Sequence, residues 1–188
     1  MKAFDRFLQR WRLTEVRPFI PVGARVLDIG CGDGLLFRLC GNHIHQGIGL
    51  DPTLPSHVKA ENFELLPGRF PEALSKTEPF DVIIITAVLE HIPESQHRTF
   101  AEHCVRLLKP GGLILITTPS PWVDQILTLL HALRLIDGMS LDEHHGFDPQ
   151  QTTAIFSGPD LILVKSARFQ CGFNNLFVFK KPHKETIS

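Results

Sequence analysis

Three glycines at alternate positions, Gly30, Gly32 and Gly34, directly follow an apolar run that ends at Ile29. Glycine weakens regular elements, but it allows positive φ and lets a ligand approach the backbone closely. A strand that ends in such a turn and leads into a helix presents free N–H groups at the positive end of that helix. The helix predicted here is Leu35–Cys40. The spacing therefore indicates a loop that binds the anionic part of a ligand.

A carboxylate after the next apolar run indicates what else the ligand carries. Asp51 stands 21 residues after Gly30, at a place where an acid accepts hydrogen bonds from both hydroxyls of a ribose. A nucleoside with an anionic group fits, which admits nicotinamide dinucleotides and S-adenosylmethionine. The dinucleotide fingerprint has a small sixth residue for close helix packing, whereas Leu35 occupies that place here. This departure favours S-adenosylmethionine.

Predicted strands and helices, which must position these residues, alternate along the chain. This alternation indicates a parallel α/β sheet. Several predicted strands are apolar on both faces, as in a sheet covered by helices on both sides. A helix opened by Pro93 and stopped by Pro110-Gly111-Gly112 is expected to cross over the sheet. The last two strands are expected to form an antiparallel hairpin. The predicted strands are Arg25–Ile29, Gln46–Leu50, Phe63–Leu66, Val82–Thr86, Leu113–Thr117, Leu161–Phe169 and Leu176–Lys180.

Composition limits the partners. With 188 residues, 43% of them hydrophobic, the chain is long enough for one domain with a sizeable core. Its 19 basic and 20 acidic residues are mixed along the sequence, which argues against nucleic-acid binding and favours a small, weakly charged partner. No apolar run predicts membrane insertion or a signal peptide, so we expect a cytoplasmic protein. The four cysteines form no CxxC pair, which indicates neither a disulfide framework nor a zinc cluster.

The sequence resembles the class I S-adenosylmethionine-dependent methyltransferases of the small-molecule type, from about Arg10 to Lys181. The matching segments are VLDIGCGDG, GIGLDP, PFDVIIITAVLEHI and LLKPGGLILITTP, in the family's order and spacing. The resemblance implies a Rossmann-like, doubly wound, seven-stranded sheet of order 3-2-1-4-5-7-6 with the last strand antiparallel. We expect a single domain over residues 1–188, with an N-terminal helix at 1–20 and a tail at 182–188.

The resemblance also implies roles for individual residues around S-adenosyl-L-methionine. Where family members often carry an acid beside the adenine, this chain reads Gly68-Arg69-Phe70, and we expect Phe70 to pack on the adenine with help from a backbone N–H. Thr86 and Ala87 are expected to offer backbone groups to the amino-acid end. The other implied ligands are Asp28, Gly30, Cys31, Gly32 and Gly34 at the methionine part and Asp51, followed by Pro52, at the ribose.

Methyl transfer from a sulfonium is an in-line displacement, so positioning supplies much of the catalysis. An oxygen acceptor usually still needs a base. His91 lies nearest the expected methyl group, where it either shapes the cofactor pocket or acts as the base. His144 and His145 are the other catalytic candidates. A metal site built from Glu143 and one of these histidines is an alternative, but our prediction includes no metal.

An insertion at residues 119–158 is expected to cover the carboxyl ends of the strands, where such folds bind ligands. Its stretch Trp122–Ile136 has apolar residues at helical spacing, which fits a core-facing stripe. Extra apolar surface there would suit a small-molecule acceptor that is lipid-like, quinone-like or glycan-linked. The N-terminal helix is expected to close the other side, with Arg12 able to reach an anionic group.

Other functions fit the sequence less well. A protein or nucleic-acid methyltransferase is an alternative, although Thr86-Ala87-Val88-Leu89 departs from the pattern of base-amino methylases and the charge balance does not suit a long polyanion. A non-catalytic cofactor-binding subunit of a partner methyltransferase stays open. A dehydrogenase is disfavoured by Leu35 and by the terminal hairpin. We expect a monomer or a homodimer.

Overall fold

A computed structural model describes residues 3–74, 76–120 and 148–183. Strands and helices alternate through these ranges, joined in places by short 3₁₀ helices at Arg17–Phe19, Gly41–His43, Leu89–His91, Glu94–Gln96 and Gln170–Gly172. The described α-helices are α1 (Ala3–Val16), α2 (Leu35–Cys40), α3 (His97–Leu107) and α4 (Pro149–Phe156). The described strands are β1 (Ala24–Ile29), β2 (Ile44–Asp51), β3 (Val58–Lys59), β4 (Phe63–Pro67), β5 (Phe80–Thr86), β6 (Leu108–Pro119), β7 (Ile162–Phe169) and β8 (Asn174–Lys180).

In the described residues the strands form one sheet of order β3-β4-β2-β1-β5-β6-β8-β7. Strands β4, β2, β1, β5 and β6 pair in parallel, and β8 runs antiparallel to both β6 and β7. Without β3 the order is the predicted 3-2-1-4-5-7-6, which confirms the topology. The predicted count of seven strands is wrong by one, because Val58 and Lys59 pair antiparallel with β4. A two-residue strand is too short to show the alternation that predicts strands.

Helices cover both faces of the sheet, as the doubly wound prediction requires. Leu27 packs in one cluster with Phe100 of α3 and Phe156 of α4, whereas its neighbour Val26 packs in the other with Phe37 of α2. Successive strand residues point to opposite faces, so an apolar strand such as β1 needs a helix layer on each side. This layering leaves the carboxyl ends of the parallel strands as the edge where loops meet.

The crossover helix differs from its predicted bounds. Helix α3 begins at His97, after a separate 3₁₀ turn at Glu94–Gln96, and Leu108 is already extended and opens β6. A residue before proline is pushed out of the helical region, so the chain leaves the helix ahead of Pro110. The predicted helical stretch at Trp122–Ile136 lies outside the described residues. Within the described ranges, no helix has the length and apolar character needed to cross a bilayer.

Candidate ligand-binding site at the carboxyl ends of the strands

The loop between β1 and α2 takes a conformation that needs glycine. Gly30, Gly32 and Gly34 have φ values of +79°, +53° and +76°. A Cβ added at Gly30 would overlap Val88 Cγ2, and one at Gly34 would lie 2.8 Å from Leu65 Cδ1. Both the backbone angles and the space around the loop therefore exclude larger residues. We call residues 30–34 the glycine loop.

Asp51 fastens the glycine loop to the end of β2. Its Oδ2 accepts a hydrogen bond from the Gly32 N–H at 2.8 Å. Its Oδ1 accepts from the Thr53 N–H at 2.8 Å and from the Thr53 hydroxyl at 2.6 Å. An ionised carboxylate offers about four acceptor positions, so Oδ2 keeps one for a further donor such as a ribose hydroxyl. The predicted loop and the predicted acid therefore lie together. The prediction of free N–H groups in the loop is wrong for four of its five residues, because Gly30 and Cys31 donate to Leu50 O, Gly32 to Asp51 and Gly34 to Cys31 O.

Asp28 supplies a second carboxyl group beside the loop. Its side chain is 2% exposed, and Oδ1 has no hydrogen-bond partner among the described residues. Burial, and then the charge of Asp51, raise the pKa of Asp28 to about 7. A buried acceptor without a donor costs free energy, which a donor or a cation of a ligand would recover. The site therefore suits a ligand with a positively charged group next to the glycine loop.

The end of β5 borders the same loop. Ala87 has φ +55°, and its N–H donates to Thr117 O at 3.0 Å, so this N–H is already engaged within the protein. Thr86 is half-buried at the strand end. His91 is exposed at the end of the 3₁₀ turn Leu89–His91, and its N–H donates to Val88 O at 2.9 Å. Val88 connects this turn to the glycine loop, because its side chain packs at Gly30.

The remaining predicted site residues lie in different surroundings. Phe70 packs edge-on against Phe100 with 5.2 Å between ring centroids, so at least part of the ring belongs to the core. Pro52 and Arg69 are exposed. Cys31 is buried, and its burial, followed by the charges of Asp28 and Asp51, raises the pKa of the thiol. A neutral, buried thiol is inert, which suits packing in the loop. His144 and His145, with Asp142 and Glu143, lie outside the described residues.

Sequence reasoning missed two residues of the site, Gln9 and Val88. The Nε2 atom of Gln9, on α1, lies 3.6 Å from the position of a Cβ at Gly32. The sequence predicted a covering N-terminal helix but named Arg12 as the side chain that reaches inward. Which residue of α1 faces the loop depends on how the helix docks, and no local pattern gives that signal. The partners of Gly30 and Gly34 likewise depend on tertiary packing.

A cavity of about 650 Å³ lies at the carboxyl end of β6. Its described lining combines apolar surface with polar side chains, which include Ser120, Asp148, Thr153, Arg168 and Asn175. Asn175 Nδ2 donates to Ser120 Oγ at 3.2 Å. The volume falls in the range of small-molecule sites, which is about 300–1,000 Å³. Because the cavity and the glycine loop lie at the same edge of the sheet, we interpret the cavity as a candidate second compartment, lined by β7, β8 and α4.

Comparison with known proteins agrees with this geometry. A family model for a methyltransferase domain matches residues 2–161. The chain is 31% identical over 150 residues to the "Probable S-adenosylmethionine-dependent methyltransferase" of Mycolicibacterium smegmatis, across 74% of this chain and 58% of that protein. It is 33% identical over 126 residues to the ubiquinone biosynthesis O-methyltransferase of Maricaulis maris, across 61% and 47%. The chain thus spans less than two thirds of the length of either relative.

A solved structure has the same fold. The N-methyltransferase NodS from Bradyrhizobium japonicum, in complex with S-adenosyl-L-homocysteine, matches with a TM-score of 0.64. The match covers 97% of this chain and 89% of that one at 18% sequence identity, which shows likeness of fold alone. Together with the family model, it confirms the resemblance predicted from the glycine and strand motifs.

Replacing Asp28 by Asn should flatten the pH dependence of stability. The folded protein holds the Asp28 proton up to a pKa of about 7, whereas the unfolded chain releases it near about 3.9. Between these values the unfolded state binds fewer protons, so this group makes the free energy of unfolding fall as pH rises, by at most about 1.4 kcal/mol per pH unit. Urea unfolding of the ligand-free proteins between about pH 5 and pH 8 measures the difference. Equal slopes for wild type and Asp28→Asn would contradict the assignment.

Proposed function

We propose that this chain, which belongs to the methyltransferase domain family, transfers a methyl group from S-adenosyl-L-methionine to a small-molecule acceptor. The observation that carries the proposal is the Gly32–Asp51 hydrogen bond of 2.8 Å, which joins the glycine loop to the carboxylate that we propose binds the ribose. The buried Asp28 beside them fits a cationic ligand. S-adenosylmethionine combines a ribose, a carboxylate and positively charged groups.

The residues proposed to contact S-adenosylmethionine are those predicted from the sequence. Asp51 is the ribose acceptor, because Oδ2 retains room for a donor. Phe70 can reach the adenine only with the part of its ring that Phe100 leaves uncovered. Arg69 and Pro52 are exposed residues that follow β4 and β2 and are proposed to border the nucleoside. The other proposed contact residues are Asp28, Gly30, Cys31, Gly32 and Gly34 at the methionine part and Thr86 and Ala87 at its amino-acid end.

The chain's own contribution to the reaction would be chiefly positioning. When bound, S-adenosylmethionine supplies a methyl group on a sulfonium, which an acceptor lone pair displaces in line. The glycine loop and Asp51 would hold the nucleoside, and α1 over Gly32 would keep water from that end of the site. A hydroxyl acceptor must also lose its proton, and His91, His144 and His145 are the proposed groups near its path.

Among the predicted acceptor classes, we infer a quinone-like, phenolic acceptor methylated on oxygen. The relatives named as ubiquinone biosynthesis O-methyltransferases support this class. The cavity at the end of β6 supports a polar head rather than a bare lipid chain, since Arg168, Asp148 and Asn175 contribute to its wall. A glycan-linked acceptor has no comparable support.

Calorimetry with S-adenosylhomocysteine and NAD tests the cofactor assignment. The wild-type chain should bind S-adenosylhomocysteine and show no comparable binding of NAD. Asp51→Ala should weaken S-adenosylhomocysteine binding by about 2–4 kcal/mol, because it removes the acceptor for the ribose and releases the Gly32 N–H. Thr53→Val is the control: it removes only the hydroxyl that supports Asp51 and should cost less. Preferential binding of NAD, or an unchanged Kd in folded Asp51→Ala, would contradict the assignment.

Three histidine variants separate base catalysis from pocket shaping. His91→Ala should weaken both S-adenosylhomocysteine binding and turnover, because its 3₁₀ turn contacts the glycine loop through Val88. If His144 or His145 is the base, its replacement by Ala should lower turnover about a hundredfold with little change in cofactor affinity. Turnover is measured with a catechol such as 3,4-dihydroxybenzoate as the acceptor. Full turnover in all three variants would contradict a role for any of these histidines as the base, and catalysis would then depend only on how the chain positions the two substrates.

A further inference from the structure

Gln9 points toward the glycine loop and has an unused acceptor. Apart from its chain neighbours, the atom nearest to a Cβ placed on Gly32 is Gln9 Nε2, at 3.6 Å. The Oε1 atom of the same carboxamide is buried and has no hydrogen-bond partner among the described residues. Buried polar atoms are nearly always paired, and an unpaired one costs free energy. A ligand with a donor at this place would satisfy it.

Two contacts made by residues just before Gln9 hold this part of α1 against the rest of the protein. One residue earlier, Leu8 O accepts a hydrogen bond from Gln170 Nε2 at 2.9 Å, and Gln170 is itself only 2% exposed. Arg6, three residues before Gln9 on α1, forms an ion pair with Asp33 of the glycine loop, at 3.6 Å. Helix α1 is therefore attached both to the loop and to the turn before β8. The register that brings Gln9 over Gly32 is set by these contacts.

A second buried oxygen borders the same loop. Asp28 Oδ1, two residues before Gly30, also has no hydrogen-bond partner in the described part of the chain. Gln9 and Asp28 come from different elements, yet both present acceptors that need donors. A primary ammonium group supplies up to three N–H donors and a positive charge, which suits acceptors of this kind.

We propose that Gln9 is a binding residue for the amino-acid end of S-adenosylmethionine, with Oε1 accepting a hydrogen bond from the α-ammonium group. Nε2 of the same side chain is a donor available to the adjoining carboxylate. The inference rests on the proposed function and adds a cofactor contact from α1, outside the motifs that carry the family resemblance. Gln9 would then select ligands that carry the amino acid over those that carry the nucleoside alone.

A ligand that lacks the amino-acid part shows whether Gln9 contacts that part or the nucleoside. Calorimetry compares S-adenosylhomocysteine with 5′-methylthioadenosine, which keeps the nucleoside and the thioether. Gln9→Leu should weaken S-adenosylhomocysteine binding about ten- to hundredfold, as expected for a hydrogen bond to a charged group. It should leave 5′-methylthioadenosine within about twofold. Arg10→Leu, at an exposed position of the same helix, is the control and should change neither Kd.

The outcomes separate this inference from the proposed function. Wild type that fails to bind S-adenosylhomocysteine overturns the proposed function. Wild-type binding that persists unchanged in Gln9→Leu overturns only the role of Gln9. Equal losses for both ligands also overturn it, because they would indicate displacement of α1 rather than loss of an amino-acid contact. Gln9→Ala, tested in parallel with thermal unfolding of each variant, supplies the same comparison if Gln9→Leu does not fold.

Discussion

The hydrogen bond between the Gly32 N–H and the Asp51 carboxylate is the constraint on which the candidate site depends. It joins the loop after β1 to the end of β2, and the Gly30 and Cys31 N–H groups strengthen the same junction by donating to Leu50 O at 2.8 and 3.1 Å. Parallel pairing of β1 and β2 brings the two strand ends together, so the contact follows from the topology. A loop held in this way can present its backbone to a ligand without further ordering, which lowers the entropic cost of binding.

The same junction brings two acidic side chains close to the ligand site. Two carboxyl groups, Asp28 and Asp51, border one short loop, and burial together with the Asp51 charge keeps Asp28 protonated up to a pKa of about 7. A cationic ligand would favour the ionised form of Asp28, so its binding near neutral pH would release a proton. An anionic ligand would meet two acids and few free donors, because the N–H groups of Gly30, Cys31, Gly32 and Gly34 already donate within the protein. A ligand of mixed charge satisfies this arrangement better than a simple anion.

Hydrophobic and glycine patterns along the sequence predicted the strands and the loop of the candidate site. The apolar runs and the glycine spacing gave the parallel sheet, the loop and Asp51, because strand burial and backbone freedom both leave a signal along the chain. Strand β3 escaped prediction because two residues carry no periodicity. Gln9 and Val88 also escaped, since their contacts with the loop arise from how α1 and the turn after β5 dock. Phe70 was predicted at the adenine, and the structure adds a core contact with Phe100 that limits its reach.

We propose that the glycine loop and Asp51 together hold the nucleoside of S-adenosylmethionine. A crystal structure of the chain with S-adenosylhomocysteine would show whether they do. We expect a ribose hydroxyl within about 3 Å of Asp51 Oδ2, with the thioether beside residues 30–34. A nucleoside bound instead in the 650 Å³ cavity near Arg168, with the Asp51 carboxylate contacting only Gly32 and Thr53, would contradict it.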